Sequence, residues 1–399
     1  MYIATKTTNM KRSIFIVLVA LSLGFQSSAQ NPTIEQILSE VNIDSMIHYA
    51  SAISGEFPVN LADTTVTIAS RHKSQPGNGF AADYIEQKLA SFGFTPDVQS
   101  WSTTGENIVA TQPGLEYPNQ KYVICAHYDA MPTAIAPAAD DDGSGTATLI
   151  ELARVLSQYE FVFTIEYGFW DEEEQGLVGS REYAEAAALA GDSILGVINM
   201  DALAWDGNGD GLMRIHTRPT ANSEDLSEIA VSVNTAYDIG LDIAVNNPGA
   251  TYSDHASFWN NGFGAILIIE DFDNDGNPHY HTTTDLVQYF DTAYYEKLSL
   301  LSAGTISSLA IPYLGPSSVE EREFKWINHY PDPADKIVTF ELPEGTWTYR
   351  IADVNGRIVE TGSPENGRID VSQLTSGGYF VSFLDEKTDK QLTQRILKK

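Results

Sequence analysis

Hydrophobic positions along this chain change their period several times, and each change marks a structural region. Residues 34–41 (IEQILSEV) and 45–54 (SMIHYASAIS) repeat apolar side chains at helical spacing. Residues 81–94 (AADYIEQKLASFGF) predict an amphipathic helix that stops at Gly93. From there, short apolar runs alternate with helical stretches. Strands are predicted over 106–112, 121–129, 163–171, 194–205, 212–218 and 264–271. Helices are predicted over 146–158, 180–190 and 223–237, with a long closing helix over 291–310. Several of the strands are apolar throughout, as strands covered on both faces must be. The expected fold class is therefore α/β, a mostly parallel central sheet flanked by helices. After LGPSS (314–318) the period falls to two. KIVTFEL, TWTYRIAD, RIVETG, RIDVS, GYFVSFLD and QLTQRILKK read as short strands broken by Asn-Gly, Gly-Gly and Pro turns. This predicts a small all-β sandwich over 316–399, after a larger domain over 30–315.

The first residues belong to neither domain. Lys6, Lys11 and Arg12 precede the apolar run SIFIVLVALSLGF, and small residues end at Ala29. That is the layout of a secretory signal over 1–29. The run is too short to span a bilayer comfortably, and no later stretch is long and apolar enough, so no stable membrane span is expected. Cys125 is the only cysteine, so an exported chain has no internal disulfide to rely on. It lies within YVICAH and reads as a small core residue.

Charge adds an exclusion. Residues 316–399 hold 11 Lys/Arg and 14 Asp/Glu, so 28 of the 31 net negative charges lie before residue 316. Nucleic acid is not an expected partner of so acidic a domain.

Five segments carry metal-grade side chains: His127 in AHYDA, Asp141 in ADDDGSG, Glu173 and Glu174 in DEEEQGL, Asp201 in INMDA, and His281 in HYHTTTD. Two imidazoles, three carboxylates and a spare glutamate are the inventory for two hydrolytic zinc ions with a general base. Most of these residues fall just past strand ends, and open α/β sheets gather ligands in the crevice at the carboxyl ends of their strands. A carboxylate bridges well because its two oxygens can bind two cations, and Asp141 is the candidate bridge. Its neighbours Asp140 and Asp142 compete, and an aspartate-rich turn capping the next helix would look the same. At the DEEEQGL bend, adjacent glutamates can point apart, one to a metal and one to the bridging water.

Further residues surround these. Asp129 is the candidate to orient His127. Asp285 is a weaker partner for His281, since such a residue more often caps a helix. His255 in SDHASF reads as structural. Tyr280 is the candidate donor to the oxyanion of a tetrahedral intermediate, with Tyr252 as its rival. Segments 206–211 (DGNGDG) and 271–276 (DFDNDG) match the first half of a calcium loop, but Thr217 and Thr282 stand where a bidentate glutamate should. Calcium is a minor expectation, and polar turns are the simpler account.

Taken in order, AHYDA, DDDGSGTA, EEQGLVGS, NMD, SDHASF and YHTTTD resemble the zinc-dependent aminopeptidase family of secreted bacterial leucyl and broad-specificity enzymes, which is related to glutamate carboxypeptidase and glutaminyl cyclase. The resemblance runs from about residue 76 to 310. It implies two clustered zinc ions, with His127 and Asp201 on one and Glu174 and His281 on the other. It implies Asp141 as bridge, Glu173 as base and a cis Asp141–Asp142 peptide. The chain lacks the cysteine pair that flanks a tyrosine before SDH in one branch, so that tyrosine's role does not simply transfer. In another branch the tyrosine directly precedes the last histidine, as Tyr280 does. Residues 316–399 resemble the C-terminal sorting domain of type IX secretion, through YPDPADK, IADVNGRIVETG, IDVSQLTSGGYFVSF and the basic RILKK. This implies export to the cell surface or medium through that machinery, with the module removed.

The expected activity is hydrolysis of amino-terminal residues from peptides, by attack of a metal-bridging water that Glu173 deprotonates. Carboxypeptidase or dipeptidase action, glutaminyl cyclisation and non-catalytic binding are the alternatives. A carboxypeptidase needs a basic group for the substrate carboxylate; the few arginines available are Arg71, Arg154, Arg181, Arg214 and Arg218, none inside a metal motif.

Overall fold

The computed structural model describes residues 30–62, 64–313, 329–331, 333–343, 345–353, 357–385 and 391–399. The predicted signal and the LGPSS boundary lie outside these. The chain divides into two compact units, residues 1–313 and 314–399.

In the larger unit, α1 (Pro32–Glu40) and α2 (Ile43–Ile53) lead in, each started by an asparagine whose side chain accepts a backbone N–H of the first turn. A short hairpin follows, β1 (Val59–Leu61) with β2 (Thr64–Val66), and then α3 (Pro76–Ser91). The remaining order is β3 (Asp97–Ser100), β4 (Glu106–Gln112), β5 (Tyr117–His127), α4 (Gly143–Leu156), β6 (Phe163–Trp170), α5 (Val178–Ala190), β7 (Ser193–Met200), β8 (Leu212–His216), α6 (Ser223–Ala236), β9 (Asp242–Asn246), α7 (His255–Asn260), β10 (Ala265–Glu270) and α8 (Thr292–Ala310).

Eight strands form one sheet in the order β3-β4-β6-β5-β7-β10-β8-β9. The central four, β6-β5-β7-β10, are parallel. They are the apolar runs of the sequence, and every residue of β10 is buried. Antiparallel pairings flank them, β4 on β6 and β8 on β10. Cys125 is buried in β5, where burial pushes its thiol pKa up. This is a core position. No described helix is long and apolar enough to cross a membrane.

One strand expectation fails instructively. The apolar run 194–205 predicts a single strand, but β7 ends at Met200. The next backbone N–H groups are taken by buried side chains: Ala202 by Asp142, Leu203 by Ser144, Ala204 by Asp140 and Trp205 by Glu270. Four side-chain acceptors replace a strand ladder there.

The C-terminal unit is all-β. Strands β11 (His329–Tyr330), β12 (Ile337–Phe340) and β15 (Arg368–Asp370) form one antiparallel sheet. Strands β14 (Ile358–Gly362), β13 (Trp347–Asp353), β16 (Gly377–Asp385) and β17 (Gln391–Lys398) form the other. Val338, Phe340 and Ile369 from one sheet share a core with Ile351, Val381, Phe383 and Ile396 from the other. This is the expected sandwich.

Candidate metal centre

The four central parallel strands deliver the site at their carboxyl ends. β5 ends at His127 itself, and β6 stops at Trp170, just before the glutamates. β7 stops one residue before Asp201, and the loop that leaves β10 carries His281. Asp141 sits between β5 and α4, and its peptide bond to Asp142 is cis, as the resemblance implied. Asp142 turns away from the cluster. Its carboxylate accepts the N–H of Gly145 at the start of α4, and those of His127 and Ala202. A Cβ on residue 145 would lie 2.4 Å from Asp142 Oδ1, so only glycine lets the cap close this tightly.

All six expected groups come together. His127, Glu173 and Asp201 form one set of potential ligand atoms within 4.8 Å of one another, and Asp141, Glu174 and His281 form a second. Asp141 stands between the sets. Its Oδ1 is 3.3 Å from His127 Nε2, and its Oδ2 is 2.9 Å from His281 Nε2. Asp201 Oδ1 lies 3.7 Å and Glu173 Oε2 3.9 Å from His127 Nε2. Glu174 Oε2 is 2.9 Å from His281 Nε2.

These residues fit metal ions on two observations. Asp141 Oδ2 and His281 Nε2 approach to 2.9 Å, yet both are buried atoms that make no hydrogen bond. They converge as ligands of a common cation do. The second observation is charge. Burial opposes protonation of both imidazoles, but the carboxylates prevail: Glu173, Asp129, Asp141 and Asp201 raise His127 well above its ordinary pKa, and Asp141 and Glu174 lift His281 to about 10. Burial and nearby carboxylates in turn push Glu173 well up, and Glu174 to about 7. The cluster holds more buried carboxylate than two imidazoles neutralise, and cations relieve it.

Around the cluster, carboxylates hold the loops in place. Asp129 Oδ1 is 3.4 Å from His127 Nδ1 without hydrogen-bond alignment, and it accepts the backbone N–H of Glu173 at 2.9 Å. Its other oxygen accepts from Glu174 N–H. One aspartate thus fixes the backbone of both glutamates beside His127. Asp285 neither caps a helix nor pairs with His281. It accepts the N–H groups of Asp140 and Asp141, fixing the bend that presents Asp141. Asp171 does similar work at the β6 tip, bonded to Asn78 and the N–H groups of Glu106 and Glu172. Sequence reasoning named Asp129 and Asp285 but assigned them to the histidines rather than to these backbone N–H groups, and it missed Asp171. The only signal was the density of aspartates at strand tips.

Tyr280 and Tyr252 both line the cleft over the cluster, with Leu177, Thr251, Ile269, Phe272 and Asp273. The Tyr280 ring stacks on the His281 ring at 3.8 Å. His255 is buried outside both ligand sets and bonds the Ala250 carbonyl through Nε2, a structural role. The arginines are engaged elsewhere. Arg71 is buried and donates to the carbonyls of Ile53, Tyr128, Pro137 and Ala138. Arg154 pairs with Glu151, Arg181 donates to the Gly176 carbonyl, Arg214 pairs with Asp271 and Asp273, and Arg218 donates to the Gly249 carbonyl. In the two Asp/Gly-rich loops, Asp206 accepts the N–H groups of Gly209, Asp210 and Gly211, and Asp271 is held by Arg214 and Asn274. Asp206 is thus engaged by its own turn, and Asp271 by Asn274 and the β8 side chain Arg214.

Known proteins are similar to this chain. The model of Peptidase family M28 matches residues 107–306, and that of the secretion system C-terminal sorting domain matches 328–399. A probable zinc metalloprotease of Pyrenophora tritici-repentis is 25% identical over 387 residues, covering 79% of this chain and 80% of the relative. Leucine aminopeptidase 1 of Paracoccidioides brasiliensis is 28% identical over 309 residues, covering 71% of this chain and 78% of the relative. The LapA aminopeptidase of Legionella pneumophila shares the fold, with a TM-score of 0.61 at 21% identity over 70% of this chain and 75% of that one. With the family model spanning half the chain and all the strand tips that build the cluster, this protein belongs to Peptidase family M28 and carries a secretion-system sorting domain at its C-terminal end.

Proposed function

We propose that this chain is a secreted exopeptidase that removes amino-terminal residues from peptides with the help of two zinc ions. His127 and Asp201 would hold one ion and Glu174 and His281 the other, with Asp141 shared between them. The two oxygens of Asp141 facing different histidines support the bridge. The imidazole and carboxylate donors suit zinc, and relatives of this chain are named as a zinc metalloprotease and a leucine aminopeptidase. Calcium forms no part of the proposal.

The observation that carries the amino-terminal reading is the charge of the cleft. Asp141, Glu173, Glu174, Asp201 and Asp273 line it, and no Lys or Arg is among its described lining residues. A protonated substrate amine finds carboxylates there, whereas a substrate α-carboxylate finds no cation. The glutaminyl cyclase reading is disfavoured because a one-zinc cyclase has no need of the complete second ligand set, which includes His127 and Asp201.

Bound zinc supplies Lewis acidity, polarising a carbonyl and lowering the pKa of a water to about 7. Glu173 does the proton work. Its carboxylate takes a proton from the attacking water, then delivers it to the leaving amine. Asp129 holds Glu173 and Glu174 apart by their backbone N–H groups, so the two neighbours serve different roles. A phenol of the cleft wall donates to the developing oxyanion; Tyr280 is the choice from sequence and Tyr252 its rival.

Residues 1–29 direct export, and residues 316–399 are the sorting module that type IX machinery recognises before its removal. The enzyme then works at the cell surface or in the medium.

Mass spectrometry of a defined peptide mixture, including one peptide that begins with glutamine, tests this with and without chelator. Chelator-sensitive loss of amino-terminal residues is expected. Loss from the carboxyl end, or loss of only ammonia from the glutamine peptide, replaces this reading with a carboxypeptidase or a cyclase. No change in any peptide with zinc restored leaves a binding protein.

A further inference from the structure

Strand β8 ends at His216, a buried imidazole outside both ligand sets, and its surroundings determine which nitrogen carries the proton. The backbone N–H of Ala250 lies 3.0 Å from His216 Nδ1. A backbone N–H only donates, so Nδ1 is the bare acceptor and the ring proton sits on Nε2. His216 Nε2 in turn lies 3.1 Å from Tyr252 Oη. The histidine therefore donates and the phenol oxygen accepts. Tyr252 keeps its own proton, and its ring is half exposed on the wall of the cleft that contains Asp141, Glu173, Glu174 and Asp201.

The approach is built into the loop. A Cβ on residue 249 would lie 2.7 Å from His216 Cβ, so glycine there lets the 249–252 segment reach the histidine. The Gly249 N–H bonds the Thr217 carbonyl, and the Ala250 carbonyl accepts from His255 Nε2 at 2.9 Å. The backbone of Ala250 is thus held by two histidines, one on its N–H and one on its C=O. Burial lowers His216 to about 4 against the opposing charge of Asp273, with Arg214 adding to the fall, so the ring is neutral at ordinary pH. By contrast, Tyr280 stacks on His281, and its hydroxyl has no hydrogen-bond partner among the described residues.

We infer that His216 is a positioning residue of this peptidase: by donating Nε2–H to Tyr252 Oη, it turns the phenol's own proton toward the cleft and makes Tyr252 the donor to the carbonyl oxygen of the substrate. A hydroxyl that accepts a hydrogen bond is also polarised into a stronger donor. The inference rests on the peptide-hydrolysis reading above.

Steady-state kinetics of the zinc-loaded full chain test it. Tyr252→Phe lowers kcat about 100-fold, as loss of one oxyanion donor does, with KM within about two-fold. Two substitutions of His216 separate positioning from loop support. His216→Gln keeps an N–H donor for Tyr252 and loses the acceptor for Ala250, while His216→Asn keeps the acceptor and loses the donor. The glutamine variant retains the higher kcat, the asparagine variant falls about 10-fold, and neither adds to the loss in a Tyr252→Phe background. An unchanged kcat in Tyr252→Phe, a lower kcat in His216→Gln than in His216→Asn, or the full His216→Asn effect without Tyr252 overturns the inference. Nitrogen-15 NMR of the metal-free chain adds a readout independent of activity: a proton on His216 Nε2 is expected, and a proton on Nδ1 overturns it. A wild-type chain without chelator-sensitive exopeptidase activity defeats the hydrolysis reading itself, whereas an active wild type with an unaffected Tyr252→Phe variant defeats this inference alone.

Discussion

Strand β16 of the C-terminal unit buries Tyr379, Val381 and Phe383 and turns Phe380, Ser382 and Leu384 outward. Strand β10 of the larger unit is buried at every position and ends at Glu270, whose carboxylate accepts a backbone N–H. The same difference runs through both units. Among the described residues, the only charged side chain buried in the sandwich is Asp385, which accepts the Thr346 N–H. The larger unit buries Asp129, Asp140, Asp141, Asp142, Asp171, Glu173, Asp201, Asp254 and Asp285, some just past strand ends and the others in the loops that lead into α4, α7 and α8. Buried charge is costly unless it is bonded or paired with a cation. One unit carries that cost where ligands must be presented, and the other avoids it because its strands need only hold a shape.

The largest consequence concerns the metal. Chelation abolishes turnover and lowers the melting temperature of the catalytic unit, because binding to the folded state alone contributes about 4 kcal/mol at a thousand-fold excess over Kd. Calorimetry with and without chelator checks this, and the sandwich transition stays where it was. An equal shift of both transitions means that the units do not differ as described.

Glu173→Gln comes next. It keeps the shape of the side chain and removes the base, so kcat falls about 1,000-fold or more while zinc content by elemental analysis is unchanged. Normal turnover in a zinc-replete variant refutes the base assignment.

Asp285→Ala tests the scaffold without touching a proposed ligand. It frees the N–H groups of Asp140 and Asp141, and activity or zinc affinity falls about 10- to 100-fold. Removing a comparable acceptor in the sandwich, by Asp385→Ala, leaves kcat alone. Equal effects on kcat erase the contrast between the units. Truncation after residue 313 likewise keeps kcat within about two-fold, since the larger unit has its own core.

The smallest effect is a pH slope. Burial depresses His255 to about 3 and His216 to about 4 in the folded chain. The unfolded chain, with histidines near 6.5, therefore binds more protons as pH falls. Stability is full above about 6.5 and is lost from there down to about 4 for His216 and about 3 for His255, by at most about 1.4 kcal/mol per pH unit for each histidine. Urea denaturation at several pH values shows a shallower slope for His255→Asn than for the wild type. Parallel slopes rule out a neutral buried histidine there.

Much of this was legible in the chain itself. The apolar runs of β5, β6, β7 and β10 announce a covered parallel sheet because residues buried on both faces cannot be polar. The candidate site residues follow those runs directly in sequence, so a pattern of hydrophobicity located His127, Glu173, Glu174 and Asp201 as well as strands. The sandwich was legible for the opposite reason, since period-two alternation is a local property. The end of β7 was not legible. Residues 201–205 are apolar enough to continue a strand, and only Asp140, Asp142, Ser144 and Glu270 converging from elsewhere stop it.

The sequence by itself determined the two fold classes, the metal-grade residues and their order along the chain, because periodicity and donor chemistry are carried by each segment alone. Tertiary structure decided which aspartate does what. Asp140, Asp141 and Asp142 are identical side chains in a row, and their separation into a clasp on Ala204, a link between two histidines and a cap on α4 depends on groups 3 to 145 residues away. It also decided that His216 stands behind Tyr252, a pairing 36 residues apart in sequence that arises only when the 249–252 loop folds back onto β8. Hydrogen bonds act over about 3 Å, and only the folded backbone brings such groups within that range.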